Sequence, residues 1–156
     1  MKKNQKIFSL LTWLLICQVP AVIGGLAVSN GMAWYHTLNQ PPLTPPDTLF
    51  GIMWCVLYIL LGISAFMLLG NSWSGKQKLA ALFLGQLVLN AMWTPVFFGM
   101  ESLAGALLIV VAMLVQGVWL ARVAWKENRI AVWLMMPYFA WLCFATYLTA
   151  AFWVLN

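Results

Sequence analysis

Charge is scarce in this sequence. Asp and Glu together number three and histidine one among 156 residues, and only 7% of positions are Asp, Glu, Lys or Arg. A carboxylate pair for general acid–base work, or a cluster of metal-ligating side chains, therefore has almost no material, and no metal site is expected. A soluble domain is excluded as well, since it would carry roughly 25% charged residues. The three cysteines, Cys17, Cys55 and Cys143, are odd in number, far apart and each inside an apolar run, with no C-x-x-C spacing. They read as buried thiols acting as small apolar groups, and no disulfide is required. Low-complexity tracts and persuasive internal repeats are missing, as is an Arg/Ser-rich transit-like leader, which favours a bacterial membrane over an organelle.

What fills the chain instead is apolar: 64% of its residues are hydrophobic. Lipid is the solvent such a composition needs, and the runs are of spanning length. The expected fold is an all-α integral membrane protein, a single bundle of five transmembrane helices at about 7–28, 47–69, 79–98, 103–124 and 130–155. Lys2, Lys3 and Lys6 before the first run resemble the opening of a signal peptide, but the run exceeds a leader's usual ~7–15 apolar residues and reads as a retained span. With five spans, all eight basic residues fall on one side: these three, then Lys76 and Lys78, then Arg122, Lys126 and Arg129. The positive-inside rule places that side, and the amino end, in the cytoplasm, with the carboxyl end outside. The net charge of +5 is thus a topology signal, and nucleic acid is not an expected partner.

The connection 30–46 differs from the others. Its core, WYHTLNQPPLTPP, holds four prolines, an aromatic pair and the sole histidine, His36. Proline at this density neither continues a helix nor supplies backbone donors, so the segment is expected to cross the bundle end as a stiff strap. Beneath it three helices present aromatic and polar stripes. Phe50, Trp54, Leu57, Tyr58 and Leu61 share a face of the second helix. Gln86, Asn90, Trp93 and Phe97 share one of the third, and Tyr138, Trp141, Ala145, Thr149 and Phe152 one of the fifth. Amides mid-span face the bundle interior, and the five-span topology brings these stripes to one depth in the outer half. A cavity walled by indole and phenol rings and lidded by Trp34, Tyr35, Pro41 and Pro42 suits a flat, largely apolar ligand. Trp73, Trp125, Trp133 and Trp153, near span ends, read as interfacial anchors. Asp47 reads as a helix cap and His36 and Glu101 as solvated side chains. Ala81 and Gly85 form a small-xxx-small pair that hints at self-association.

These residues resemble the translocator protein or tryptophan-rich sensory protein family. Trp34-Tyr35 with Leu38, Pro41 and Pro45-Pro46 is similar to its first loop, and Trp54, Leu57-Tyr58 and Gly62 to its second helix. Leu89-Asn90, Trp93 and Phe97-Phe98-Gly99 are similar to its third-helix signature, and Pro137-Tyr138, Ala140-Trp141 and Phe144-Ala145-Thr146 to its fifth. The resemblance covers nearly the whole chain. It implies a five-helix bundle, often dimeric, that binds protoporphyrin IX or related tetrapyrroles, sterols, and drug-like aromatic ligands of the benzodiazepine and isoquinoline type. For some bacterial members it implies light- and oxygen-dependent breakdown of bound porphyrin, and by position Trp54 and Trp141 are the candidates for that chemistry. No cofactor is required, porphyrin being ligand or substrate. Tyr35, Phe50, Tyr58, Asn90, Trp93 and Ala145 are the implied site walls, to which the stripes add Phe97 and Thr149.

Three departures from the family pattern bear on ligand choice. Thr149 stands where Asn is common, Gln40 replaces a frequently basic loop position, and no basic residue follows Arg129 to complete a sterol motif. The competing readings are a ligand sensor, or a transporter of porphyrin- or sterol-like molecules without catalysis. Coupled transport lacks support, because no charged residue lies mid-span.

Overall fold

The computed structural model describes residues 3–70 and 72–156. Lys2, counted above among the basic residues, and Asn71, in the second connection, lie outside them. The described chain forms five helices long and apolar enough to cross a membrane: α1 Lys3–Tyr35, α2 Asp47–Leu69, α3 Gln77–Thr94, α4 Leu103–Glu127 and α5 Arg129–Leu155. A π-helical turn, Pro95–Gly99, continues α3. The protein is an all-α membrane bundle. α1 packs on α2 and α3, α2 on α5, α5 on α4 and α4 on α3, whereas α2 and α3 scarcely meet. The helices thus form a ring in the order 1-2-5-4-3. Large apolar side chains such as Phe8, Leu15, Leu108 and Val154 point outward, the inverse of a water-soluble surface.

The first helix is longer than the sequence pattern gives. It runs to Tyr35, so Trp34 and Tyr35 occupy its last turn rather than the strap, and the strap starts at His36. Nothing between Ser29 and Tyr35 breaks a helix except Gly31, and the first following proline is Pro41. Gly31 is tolerated there because it is a crossing point. Its missing side chain lets α1 rest on the backbone of Phe98 in the π turn. A second crossing uses Gly62, where a Cβ would stand 2.9 Å from Leu14 Cδ2 and 3.0 Å from Leu14 Cα. Gly85 makes a third inside the chain, against the Gln116 amide of α4, and Gln116 Nε2 donates to the Leu82 carbonyl at 3.0 Å. Gly85 of the Ala81/Gly85 pair is thus used within the protomer, whereas Ala81 is exposed.

The ends of α4 and α5 are set by side chains. Ser102 Oγ accepts from Gly105 N–H at 3.2 Å, and Asn128 Oδ1 accepts from the N–H groups of Ile130 and Ala131 at 3.0 and 3.2 Å. Asn128 alone separates α4 from α5, so the link expected over WKENR is mostly helical. Asp47 does not cap α2, where Pro46 holds the cap position. Its carboxylate instead lies 3.5 Å from His36 Nε2, tying together the two ends of the strap. Of the cysteines only Cys17 is buried; Cys55 and Cys143 are exposed, because each borders a concavity of the bundle rather than a packed helix contact. That corrects the expectation of three buried thiols. Trp73, Trp125, Trp133 and Trp153 are exposed near helix ends, where indoles suit a membrane–water boundary.

Candidate functional site

Between α1, α2, α3 and α5 lies a cavity of about 670 Å³, within the ~300–1,000 Å³ range of small-molecule sites. Its lower edge is at Pro20, inside α1, which lacks the N–H that would bond the carbonyl one turn back. Below that level α1 and α2 are in contact: Leu14 meets Gly62, and Gln18 Nε2 donates to the Cys55 carbonyl at 3.2 Å. Above it they part. Ile52, Val56 and Ile59, which line the cavity, also lie exposed on the outer surface of α2, so the cavity opens sideways toward lipid.

The walls are aromatic because three helices turn rings inward at one depth. Phe50 is at the centre, with ring centroids 6.2 Å from Trp54, 6.3 Å from Trp93 and 5.7 Å from Trp141. Trp54 stacks on Tyr58 at 5.5 Å, and Trp93 on Phe97 at 5.2 Å. The π turn places Phe97. Pro95 has no N–H to continue the α-helical ladder, Met100 N–H bonds back to the Pro95 carbonyl at 2.9 Å, and the widened turn directs Phe97 and Phe98 against Tyr35. Among the described residues, Lys and Arg are missing from the lining, and Asp47 is its one carboxylate.

A polar network floors the site. Tyr58 O–H donates to Asn90 Oδ1 at 3.2 Å. Asn90 Nδ2 donates to the Gln86 carbonyl at 2.7 Å and to the Tyr138 hydroxyl at 2.8 Å, and Gln86 Nε2 donates to the same hydroxyl at 2.7 Å and to the Met113 carbonyl at 3.1 Å. The amide of Asn90 is thus committed within the protein, leaving a ligand only the second lone pair of Oδ1. Thr149 Oγ donates to the Ala145 carbonyl one turn back at 2.8 Å and offers no replacement amide. Tyr138→Phe removes the acceptor of two buried donors while keeping the ring. It is expected to lower unfolding stability in detergent by about 1–3 kcal/mol, measured by thermal or denaturant unfolding.

The cavity gathers nine of the ten ring, amide and small residues expected to line it. Tyr35, Phe50, Trp54, Tyr58 and Asn90 all face it, as do Trp93, Phe97, Ala145 and Thr149. Trp141 does not. Its ring stands behind Phe50 and Trp54, 6.5 Å from the latter, with its indole N–H buried and unpartnered. The expected lid residues are also displaced. Trp34 packs outside Phe97 at 5.8 Å, and Pro41 and Pro42 lie over α5, where Tyr147 O–H donates to the Pro42 carbonyl at 3.1 Å. The strap is drawn that way by Asn39, whose N–H donates to Asn156 Oδ1 at 2.8 Å and whose Nδ2 donates to the Leu155 carbonyl at 3.2 Å. Pro45, Asp47 and Thr48, from the strap's other end, border the mouth instead.

Sequence reasoning missed the contribution of α1: Pro20, Gly24, Val28, Met32 and Tyr35 form one wall at helical spacing. Only Tyr35 of these was expected; the signal for the rest was present in the Pro20 and Gly24 positions, but between Pro20 and Val28 α1 carries neither amide nor ring to draw attention.

The sequence model of the TspO/MBR family matches residues 13–154. The chain belongs to that family. The tryptophan-rich sensory protein of Cereibacter sphaeroides is 36% identical over 141 residues, covering 87% of this chain and 84% of that one. Protein CrtK of Rhodobacter capsulatus is 34% identical over 139 residues, 83% and 82% of the two chains. The human translocator protein is 36% identical over 129 residues, 80% and 75% of the two chains. The aromatic cavity of this TspO/MBR member lies within the matched span, as do the π turn and the Gln86–Asn90–Tyr138 floor.

Proposed function

We propose that this protein binds a tetrapyrrole, with protoporphyrin IX as the type ligand, in the cavity between α1, α2, α3 and α5. The observation that carries the reading is a ring-walled cavity of about 670 Å³ with, among the described residues, a single carboxylate and no basic group in its lining. A flat macrocycle gains by stacking on such walls. Its propionates find no cation inside, so they remain at the mouth in water, beside the strap. Apolar heterocycles of the benzodiazepine or isoquinoline kind fit the same walls without needing a cation.

On this reading the cavity also supports light-driven oxidation of the bound porphyrin. An excited porphyrin accepts an electron from an indole and passes it to dioxygen, giving superoxide; the indole radical cation then takes an electron back from the porphyrin, and the porphyrin radical cation combines with the superoxide, so that the indole is restored and both oxygen atoms end on the macrocycle. Trp54 borders the cavity and is the direct donor; Trp141, 6.5 Å behind it, is placed to refill Trp54. No general acid or base is involved. The site is outside on the positive-inside orientation: the described basic residues, Lys3, Lys6, Lys76, Lys78, Arg122, Lys126 and Arg129, belong to the opposite end of the bundle, which would face the cytoplasm of a bacterial plasma membrane. Self-association, which the family resemblance implies, is expected to use the α3 face that carries the exposed Ala81, with Gly85 one turn on.

Titration of purified protein with protoporphyrin IX in the dark, followed by tryptophan quenching, tests binding; absorbance under light tests turnover. Saturable quenching and a protein-dependent loss of the porphyrin spectrum are expected. The double variant Trp54→Phe/Trp141→Phe should retain binding and lose the spectral change, with Trp54→Phe alone the more damaging single substitution. Undiminished turnover in the double variant would reject the assignment. Quenching without any spectral change in the unmodified protein would leave a sensor or carrier in place of a catalyst.

A further inference from the structure

A second concavity lies on the opposite side of the bundle, between α4 and α5. Its volume is about 400 Å³, and it is apolar except at one end, where Arg122 and Trp125 stand. Its cause is local. Gly117 has no Cβ, and a Cβ there would meet Phe139 Cε1 at 2.8 Å, so the phenyl ring sinks toward α4 and leaves a trough above it. Ala121, one turn further along α4, keeps the trough open, and Met136 and Cys143 continue its far wall on α5.

The length and charge of this groove define its occupant. From Leu114 to Trp125 it follows α4 for about 16 Å at the helical rise, close to the roughly 15 Å of one leaflet's hydrocarbon. It runs from mid-bundle to the basic end. There Arg122 forms no ion pair among the described residues, and the Arg129 guanidinium lies 5.5 Å over the Trp125 ring. The one acid at that end, Glu127, is engaged by Lys76 at 3.3 Å; Asp47 and Glu101 belong to the opposite end. An apolar slot one leaflet deep, topped by uncompensated arginines and an interfacial indole, is complementary to one kind of molecule.

We propose that the α4–α5 groove is a binding site for an anionic phospholipid, one acyl chain lying along Gly117, Ala121 and Phe139 and the phosphate held by Arg122 and Arg129. This site is separate from the cavity of the proposed function and does not depend on what that cavity binds. Polybasic clusters at a membrane surface attract anionic lipid; the groove adds a fixed place for the chain.

The two exposed thiols supply the test, since Cys143 lines the groove and Cys55 lines the main cavity. Detergent-purified full-length protein is alkylated with a maleimide in the presence of phosphatidylglycerol or of phosphatidylcholine with the same chains, and modification at each cysteine is read by peptide mass spectrometry. Phosphatidylglycerol is expected to slow Cys143 and leave Cys55 unchanged. Arg122→Gln should weaken that protection about fivefold, the scale of one basic residue at a charged surface. Ala121→Phe, which fills the trough from outside the core, should abolish it. Equal protection by both lipids, or undiminished protection in Arg122→Gln, would overturn the proposal. So would protection that rises with protein concentration without lipid, because a second copy would then be the occupant.

Discussion

Gly31→Ala is expected to produce the largest loss of stability of any single methyl added to this bundle. The new Cβ would collide with the Phe98 carbonyl oxygen and stand 2.7 Å from Phe98 Cβ and 2.8 Å from its carbonyl carbon. Both partners are held: Gly31 by a continuous helix, and Phe98 by the π turn whose closing bond is Met100 N–H to Pro95 carbonyl. Relief therefore requires α1 to move as a body. Overpacking of this kind destabilises by roughly 1–3 kcal/mol and sometimes more, only partly offset by the ~1 kcal/mol helix preference for alanine over glycine. Gly25→Ala supplies the comparison, since nothing lies within 4 Å of the added atom. It should leave the unfolding midpoint unchanged or raise it. Thermal unfolding of the two variants side by side checks the pair, and equal midpoints would refute the close approach at Gly31. Because the π turn carries Phe97, the same displacement should also loosen the cavity wall.

Ala145→Phe is expected to remove ligand binding with little change in fold. Ala145 is 2% exposed and borders, on α5, the cavity that the Phe50, Trp54 and Trp93 rings also line. A phenyl ring there enters space that the bundle already leaves empty, so it displaces ligand rather than core. Porphyrin affinity measured by tryptophan quenching should fall by at least about tenfold, or ~1.4 kcal/mol. Trp141→Phe should leave the same affinity nearly unchanged, because that ring stands behind Phe50 and Trp54 and does not border the cavity. If the two substitutions weakened binding equally, the ligand would not be where the cavity is.

The spans and their number were legible in the composition and the spacing of apolar runs. α2 begins and ends where the sequence pattern puts it, because Pro45-Pro46 precedes it and Gly70 follows it. The end of α1 was not legible. A six-residue stretch without proline can be helix or strap, and only its contact with the π turn selects helix. The π turn itself replaced an expected continuous helix. Pro95 marks the place, but the register of Phe97 and Phe98 depends on what they pack against.

The sequence by itself determined that this chain is a five-helix membrane bundle of the TspO/MBR family, since spanning length, low charge and multi-residue motifs are local properties. It also determined which rings share a helix face, because a 3.6-residue period is fixed before any helix meets another. Only the tertiary structure decided which of those rings border empty space. Trp54 and Trp141 are equally inward by period, yet one lines the cavity and the other stands behind it. The bend of the strap toward Asn156, the parting of α1 from α2 above Pro20 and the trough over Phe139 were settled the same way. Each results from contacts between residues far apart in the chain, where a missing Cβ or a single hydrogen bond chooses between packings that the sequence pattern leaves equivalent.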